Sequence, residues 1–293
     1  MISYNPKDWA RFIFIFHKYD TFRKLMPLML AIGGYAALVA WLETDYFRLA
    51  DSHHLKNISL LHTLLGFAIS MLLVFRTNTA YDRWWEGRRQ WGSLVNNSRN
   101  LAIKLNSLLG HDDVQNRSFF KQLIPRFAFE LMRHLQNEET RFVLDDHPHP
   151  EIPNFDRNKH IPNQVASLIM SRLHLLHRQQ RISGEELLFL NGEISSFLDI
   201  CGACERIKNT PIPYSYSAFI KKFIFFYVVT LPLGYVFNLG YLIIPVVIFV
   251  LYVLGSLELI AEEIEDPFGR DANDLPMQRI SENIRKNVGE ILG

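Results

Sequence analysis

Residues 58–109 read ISLLHTLLGFAISMLLVFRTNTAYDRWWEGRRQWGSLVNNSRNLAIKLNSLL, and the change of character within this stretch decides the fold. Its opening segment, 58–75, holds no Lys, Arg, Asp or Glu and is close to the length of a bilayer-spanning helix, about 20 residues. From Arg76 onward it is charged, yet it contains no proline and only two glycines. The pattern predicts one long helix to about residue 109, apolar at first and wet afterwards. Phe67, Met71 and Phe75 recur four apart on one face of the apolar half. Such a face can line a pore that opens into an aqueous vestibule. On spacing alone, packing against other helices is the stronger explanation.

Outside this stretch, the apolar residues are again bunched. Charge-free runs occur at 25–42 and 223–257, and the second is long enough for two crossings with Asn238, Leu239 and Gly240 as the turn. The 293 residues are 48% hydrophobic and 13% aromatic, rich for a soluble protein. A net charge of +1 gives no argument for a nucleic-acid partner. Only Cys201 and Cys204 are present, so no disulfide framework supports an extracellular domain. No cleavable signal peptide is read in the basic, aromatic first 24 residues, which suit a membrane surface or a neighbouring subunit.

The predicted organisation is an N-terminal interfacial segment 1–24, membrane helices at 25–42, 58–75, 223–237 and 241–257, a helical region at 110–222 and a C-terminal segment 258–293. The chain beyond Phe75 is rich in Arg, and Lys221 and Lys222 precede the third span, whereas the 43–57 loop is mixed in charge. The positive-inside rule then leaves both termini in the cytosol. Between the second and third spans, 119–136 is amphipathic with Pro125 near its start, 145–162 carries four prolines and reads as an exposed loop, and 163–181 is apolar on one side. Ser183 and Glu186 form an S-x-x-E capping box for a helix to about Lys208. With no strand alternation, the fold class is all-α.

Several clusters invite a chemical reading. Cys201 and Cys204 form a lone C-x-x-C inside a helical pattern, which fits small buried residues better than zinc or redox chemistry. His147, His149 and His160 near Asp145 and Asp146 have metal-friendly chemistry, but a surface loop explains them more simply. Trp84, Trp85 and Trp91 with Arg83, Arg88 and Arg89 follow a membrane helix, where anchoring and packing account for them. Glu258, Glu262, Glu263, Glu265 and Asp266 are dense in carboxylate, yet the Glu-x-x-His motifs of a di-iron bundle are missing. No motif of a known catalytic constellation is present, so no enzyme is expected.

Three blocks together carry a resemblance: FRTNTAYDRWWEGR at 75–88, CERIKNTPIPY at 204–214 and EDPFGRDANDLP at 265–276. In order and spacing they resemble the bestrophin ion channels, specifically the bacterial branch, over nearly the whole chain. The resemblance implies a homopentamer in a bacterial inner membrane, with the second helix of each subunit lining an axial pore for inorganic ions. It places the family's apolar neck on Phe67, Met71 and Phe75, and a second constriction, at the cytosolic exit, on Glu185, or on Glu186 if the alignment slips by one residue. A ring of glutamates there concentrates cations, which tips the expectation toward a monovalent cation channel. Arg76, Arg83, Arg88 and Arg89 would favour anions if they face the vestibule, so a chloride channel is the alternative. A non-conducting membrane enzyme or scaffold is the reading from another class. Asp271 and Asp274 match the two aspartates of the family's Ca²⁺ clasp, but Arg270, Ala272 and Asn273 stand where acids are usual, which argues against Ca²⁺ as a cofactor.

Overall fold

The computed structural model describes residues 21–46, 58–136, 155–156 and 159–293. Most of the expected N-terminal interfacial segment, the greater part of the 43–57 loop, and His147 and His149 of the proline-rich loop lie outside the described residues. Every regular element among the described residues is helical: α1 (Thr21–Trp41), α2 (Ile58–Leu108), α3 (Val114–Leu135), α4 (Ile161–Arg178), α5 (Gly184–Asn209), α6 (Tyr214–Leu239), α7 (Ile243–Glu265) and α8 (Met277–Leu292). Two compact units result. One combines the chain up to Arg83 with Pro211–Glu265, the other Trp84–Thr210 with Asp266–Gly293, and the continuous helix α2 contributes to both.

The first unit packs α1 and α6 against α7, with Leu25, Ile32, Ala36, Ile69, Leu73, Ile220, Val228, Val247 and Leu251 in its interior. Leu30, Phe226 and Phe249 are exposed on the outside of the same helices, as are Leu64 on α2 and Leu242 in the turn between α6 and α7. Helices apolar all round need a non-aqueous solvent, and inside it only a helix or a closed barrel satisfies its own backbone. Ser70, Thr77 and Thr79 return their hydroxyls to the carbonyls of Gly66, Leu73 and Phe75, which hides those polar groups without breaking the helix. The turn expected at 238–240 falls slightly later. α6 runs to Leu239, and a 3₁₀ turn at Gly240–Leu242, opened by Gly240 at φ 53°, leads into α7.

The second unit is organised like a water-soluble helical domain. α3 lies against α8, α4 and α5, and Trp91, Phe120, Phe127, Leu173, Ile194, Phe197 and Val288 are buried between them, with Phe127 stacked on Phe197 at 5.0 Å. The capping box forms as read: the Glu186 N–H donates to Ser183 Oγ (3.1 Å) and the Ser183 N–H to Glu186 Oε2 (2.7 Å). α3 begins five residues earlier than its amphipathic pattern indicates, at Val114 instead of Phe119. Asp113 caps it, and buried Arg117 closes three carbonyl or amide acceptors, at Asn106, Leu109 and Leu292. A polar opening turn of this kind gives no apolar periodicity to read.

By length and apolar content, the candidate membrane stretches are Thr21–Tyr46, Leu60–Leu108, Gly184–Asn209 and Tyr214–Glu265. Gly184–Asn209 is α5, which buries Leu190, Ile194, Phe197, Cys201 and Cys204 in the second unit. Tyr214–Glu265 holds both α6 and α7.

Candidate functional site

On the apolar half of α2, two faces are sharply different. His62, Ile69, Leu73, Arg76 and Ala80 are buried, and His62 Nε2 lies 2.9 Å from Thr230 Oγ1. Gly66 lets Tyr227 approach so closely that an added Cβ would meet its hydroxyl at 2.8 Å. The other face carries Leu60, Leu64, Phe67, Met71, Val74 and Phe75, all exposed. Phe67, Met71 and Phe75 are 70%, 51% and 56% accessible, and so belong to a longer uncovered apolar stripe.

Directly beyond this stripe the chain turns charged, and the first charge is internal. Arg76 has a side chain only 1% exposed; its Nη2 lies 2.7 Å from Glu265 Oε2 and its Nε 3.5 Å from Glu258 Oε2. Glu265 also accepts the Ile212 N–H at 2.7 Å, and its carbonyl accepts Arg83 Nε–H at 3.0 Å. Glu262 pairs with Lys221 at 3.0 Å and Glu263 with Lys24 at 2.6 Å. The dense carboxylate run of α7 is thereby distributed among separate cations. These contacts engage the buried Arg76 and one nitrogen of the half-buried Arg83, while Arg88 and Arg89 are exposed.

Glu185 lies exposed in the first turn of α5, beside the capping-box residue Glu186. The Asp266–Pro276 segment is a self-bonded turn. Asp274 is buried and accepts the Asp271 N–H, the Asp274 N–H donates to the Asp271 carbonyl (3.2 Å), and the Leu275 N–H donates to the Pro267 carbonyl (2.9 Å). Trp84 Nε1–H donates to the Asn273 carbonyl (2.9 Å), Gln136 Nε2 to the Gly269 carbonyl (3.1 Å), and buried Phe268 packs on Gly87. Asp271 itself is exposed. The two aspartates thus sit in one turn with unlike surroundings, one carboxylate turned inward onto backbone and the other outward. Cys201 and Cys204 are both buried and unpaired.

Sequence reasoning missed two arrangements because their members are far apart in the chain. Arg76, Glu258 and Glu265 form one. His134, His160 and Glu205 form the other, which the histidines of the proline-rich loop only partly signalled.

Comparison with known proteins gives these features a context. The family model described as bacterial/fungal bestrophin protein matches residues 1–290. A voltage-dependent anion channel-forming protein of Nostoc sp. (strain PCC 7120) is 34% identical over 77% of this chain and 75% of its own. The voltage-dependent anion channel-forming protein YneE of Escherichia coli (strain K12) is 30% identical over 96% of this chain and 90% of its own. A solved structure of a bacterial bestrophin homologue from Klebsiella pneumoniae, 23% identical, superposes with a TM-score of 0.79 over 92% of this chain and 99% of that one, which shows a shared fold. All-helical, with helices apolar enough for a bilayer and matched by the family model almost from end to end, this membrane protein belongs to the bacterial and fungal bestrophin family.

Proposed function

We propose that the chain forms a homopentameric channel in a bacterial inner membrane and passes small monovalent anions passively along an axial pore lined by α2. The observation that carries this reading is the exposed apolar stripe of α2, which holds Phe67, Met71 and Phe75 where the family resemblance puts a neck. Repeated around an axis, those side chains make a constriction that water and ions cross only when it widens, a hydrophobic gate. Met71 is softer than an aromatic or branched residue and makes the middle of the neck compliant. The relatives' names, anion channel-forming proteins, support anions, as do exposed Arg88 and Arg89 beyond the neck.

A cation-selective channel is the second reading, favoured by exposed Glu185: a carboxylate ring at the exit would reverse the local field. Calcium is not assigned a role, because Arg270, Ala272 and Asn273 stand where the family's clasp has acids and one oxygen of the Asp274 carboxylate already accepts a backbone N–H of its own turn. A family of channels and the lack of a catalytic constellation speak against an enzyme. Purified protein in planar bilayers under a potassium chloride gradient tests the proposal. The expected reversal potential lies on the chloride side and does not move with micromolar Ca²⁺. A potassium-side potential would replace the first reading with the second, and the absence of current from confirmed pentamers under every applied voltage would refute conduction by the unmodified protein.

A further inference from the structure

Three helices of the second unit bring a set of ligand-type side chains to one point. His134 stands in the last turn of α3, His160 is the N-cap of α4, and Glu205 lies near the end of α5. Glu205 Oε1 is 2.6 Å from His134 Nε2 and 2.6 Å from His160 Nε2, and the imidazole centroids are 4.4 Å apart with ring planes inclined by 63°. One ligand atom from each residue falls within 4.8 Å of the others. The group is half-buried, and His160 also borders an open cleft of about 460 Å³ with Phe155, Lys159, Asn163 and Gln164.

We infer that His134, His160 and Glu205 form a reversible binding site for a divalent transition cation of the zinc class. Two imidazole nitrogens and one carboxylate oxygen are borderline donors, suited to zinc and its first-row neighbours; calcium and magnesium demand an all-oxygen shell. Three protein ligands leave a fourth position for water, and the partial exposure of all three side chains lets a cation reach them from solvent. Two N–H donors converging on a single carboxylate oxygen are the metal-free counterpart of this site, with protons standing where the cation would sit. Zinc entry shifts each of those protons from Nε2 to Nδ1 of its own ring and brings the ligand atoms to about 2.0–2.2 Å from the cation in tetrahedral array.

His160 makes the binding reversible. Its Nδ1 accepts the Asn163 N–H at 3.2 Å and so caps α4. Once Nε2 binds a cation, the neutral ring carries its proton on Nδ1 and the cap bond is lost. The metal-free state is therefore stabilised by its own hydrogen bonds, and the bound state ties α3, α4 and α5 together. Cys204, adjacent to Glu205 in sequence, is buried and takes no part.

The test is calorimetric titration of the full-length protein in detergent, its affinity tag removed, with zinc chloride, and with magnesium and calcium chloride as hard-cation controls. Expected is one zinc per chain, weakened about tenfold or more by either His134→Gln or Glu205→Gln, and no heat from the hard cations. Both variants are to elute at the wild-type position with unchanged helical circular dichroism; cobalt(II) absorption of the unaltered protein provides a reading independent of any variant. A visible tetrahedral or five-coordinate spectrum without a thiolate charge-transfer band is expected. No zinc bound, zinc bound equally by wild type and variants, or a thiolate band placing the metal on Cys201 and Cys204 would each overturn the assignment.

Discussion

Arg76 shows what a single side chain can decide. Its guanidinium is enclosed with the Glu258 carboxylate, side chains 1% and 4% exposed, and Glu265 supplies the closer contact. Arg76→Leu would leave acids buried without their cation and should cost about 3–5 kcal/mol. Thermal unfolding in detergent measures it, and a loss near zero would mean that water reaches those carboxylates. Phe75→Ala should widen the proposed neck and raise resting conductance; an unchanged single-channel current would take Phe75 out of the ion path. Glu185→Lys should move the reversal potential further to the anion side, and no movement would reduce Glu185 to an acid favoured by a helix N-terminus. Of these residues, the stripe of Phe67, Met71 and Phe75 was legible from spacing as a face, though its purpose came only from resemblance. The Arg76 contacts were not legible. They join positions about 180 residues apart, and no periodicity records a pairing of that range.

Helices, by contrast, announce themselves locally. Ser183 and Glu186 are three apart and cap α5 as their spacing indicates, because both hydrogen bonds depend only on the chain's own first turn. Ser183→Ala should therefore cost about 1 kcal/mol, seen as a lower unfolding temperature with the pore current intact. Between elements the rules are steric. A Cβ at residue 66 would meet the Tyr227 hydroxyl at 2.8 Å, so Gly66→Ala should destabilise, and Tyr227→Phe in the same chain should restore about 1 kcal/mol of that loss. Additive single effects in such a double-mutant cycle would show that the helices separate to make room. Where a helix opens with polar residues, as α3 does from Gln115 to Ser118, the hydrophobic pattern starts late and the boundary read from it is displaced.

At the scale of the whole molecule, the two units obey opposite solvents. One buries Trp91, Phe120 and Phe197 in a helical core; the other presents Leu30, Phe226 and Phe249 outward. Composition alone revealed that division through its charge-free runs, and so did the all-helical class. The same reading kept 184–209 in the helical region 110–222, although by length and hydropathy α5 also qualifies as a span. Its buried face belongs to the core of the second unit. Buried Cys201 and Cys204 lie on that face, so polar thiol reagents should leave the folded protein unmodified and react on unfolding; fast labelling of the native protein would mean that α5 detaches. Subunit number is a property of this scale too, and native mass spectrometry from detergent should give a five-chain mass.

The three-residue turn at Gly240–Leu242 has a bearing on biogenesis. The insertion machinery meets two apolar segments joined by a connection too short to be left behind on the wrong side, so α6 and α7 must enter the bilayer together as a helical hairpin. A tip of three residues should give an added protease or an antibody little purchase. Lengthening the turn with a flexible insert would create such a handle, and would also uncouple two insertion events that the native chain performs as one.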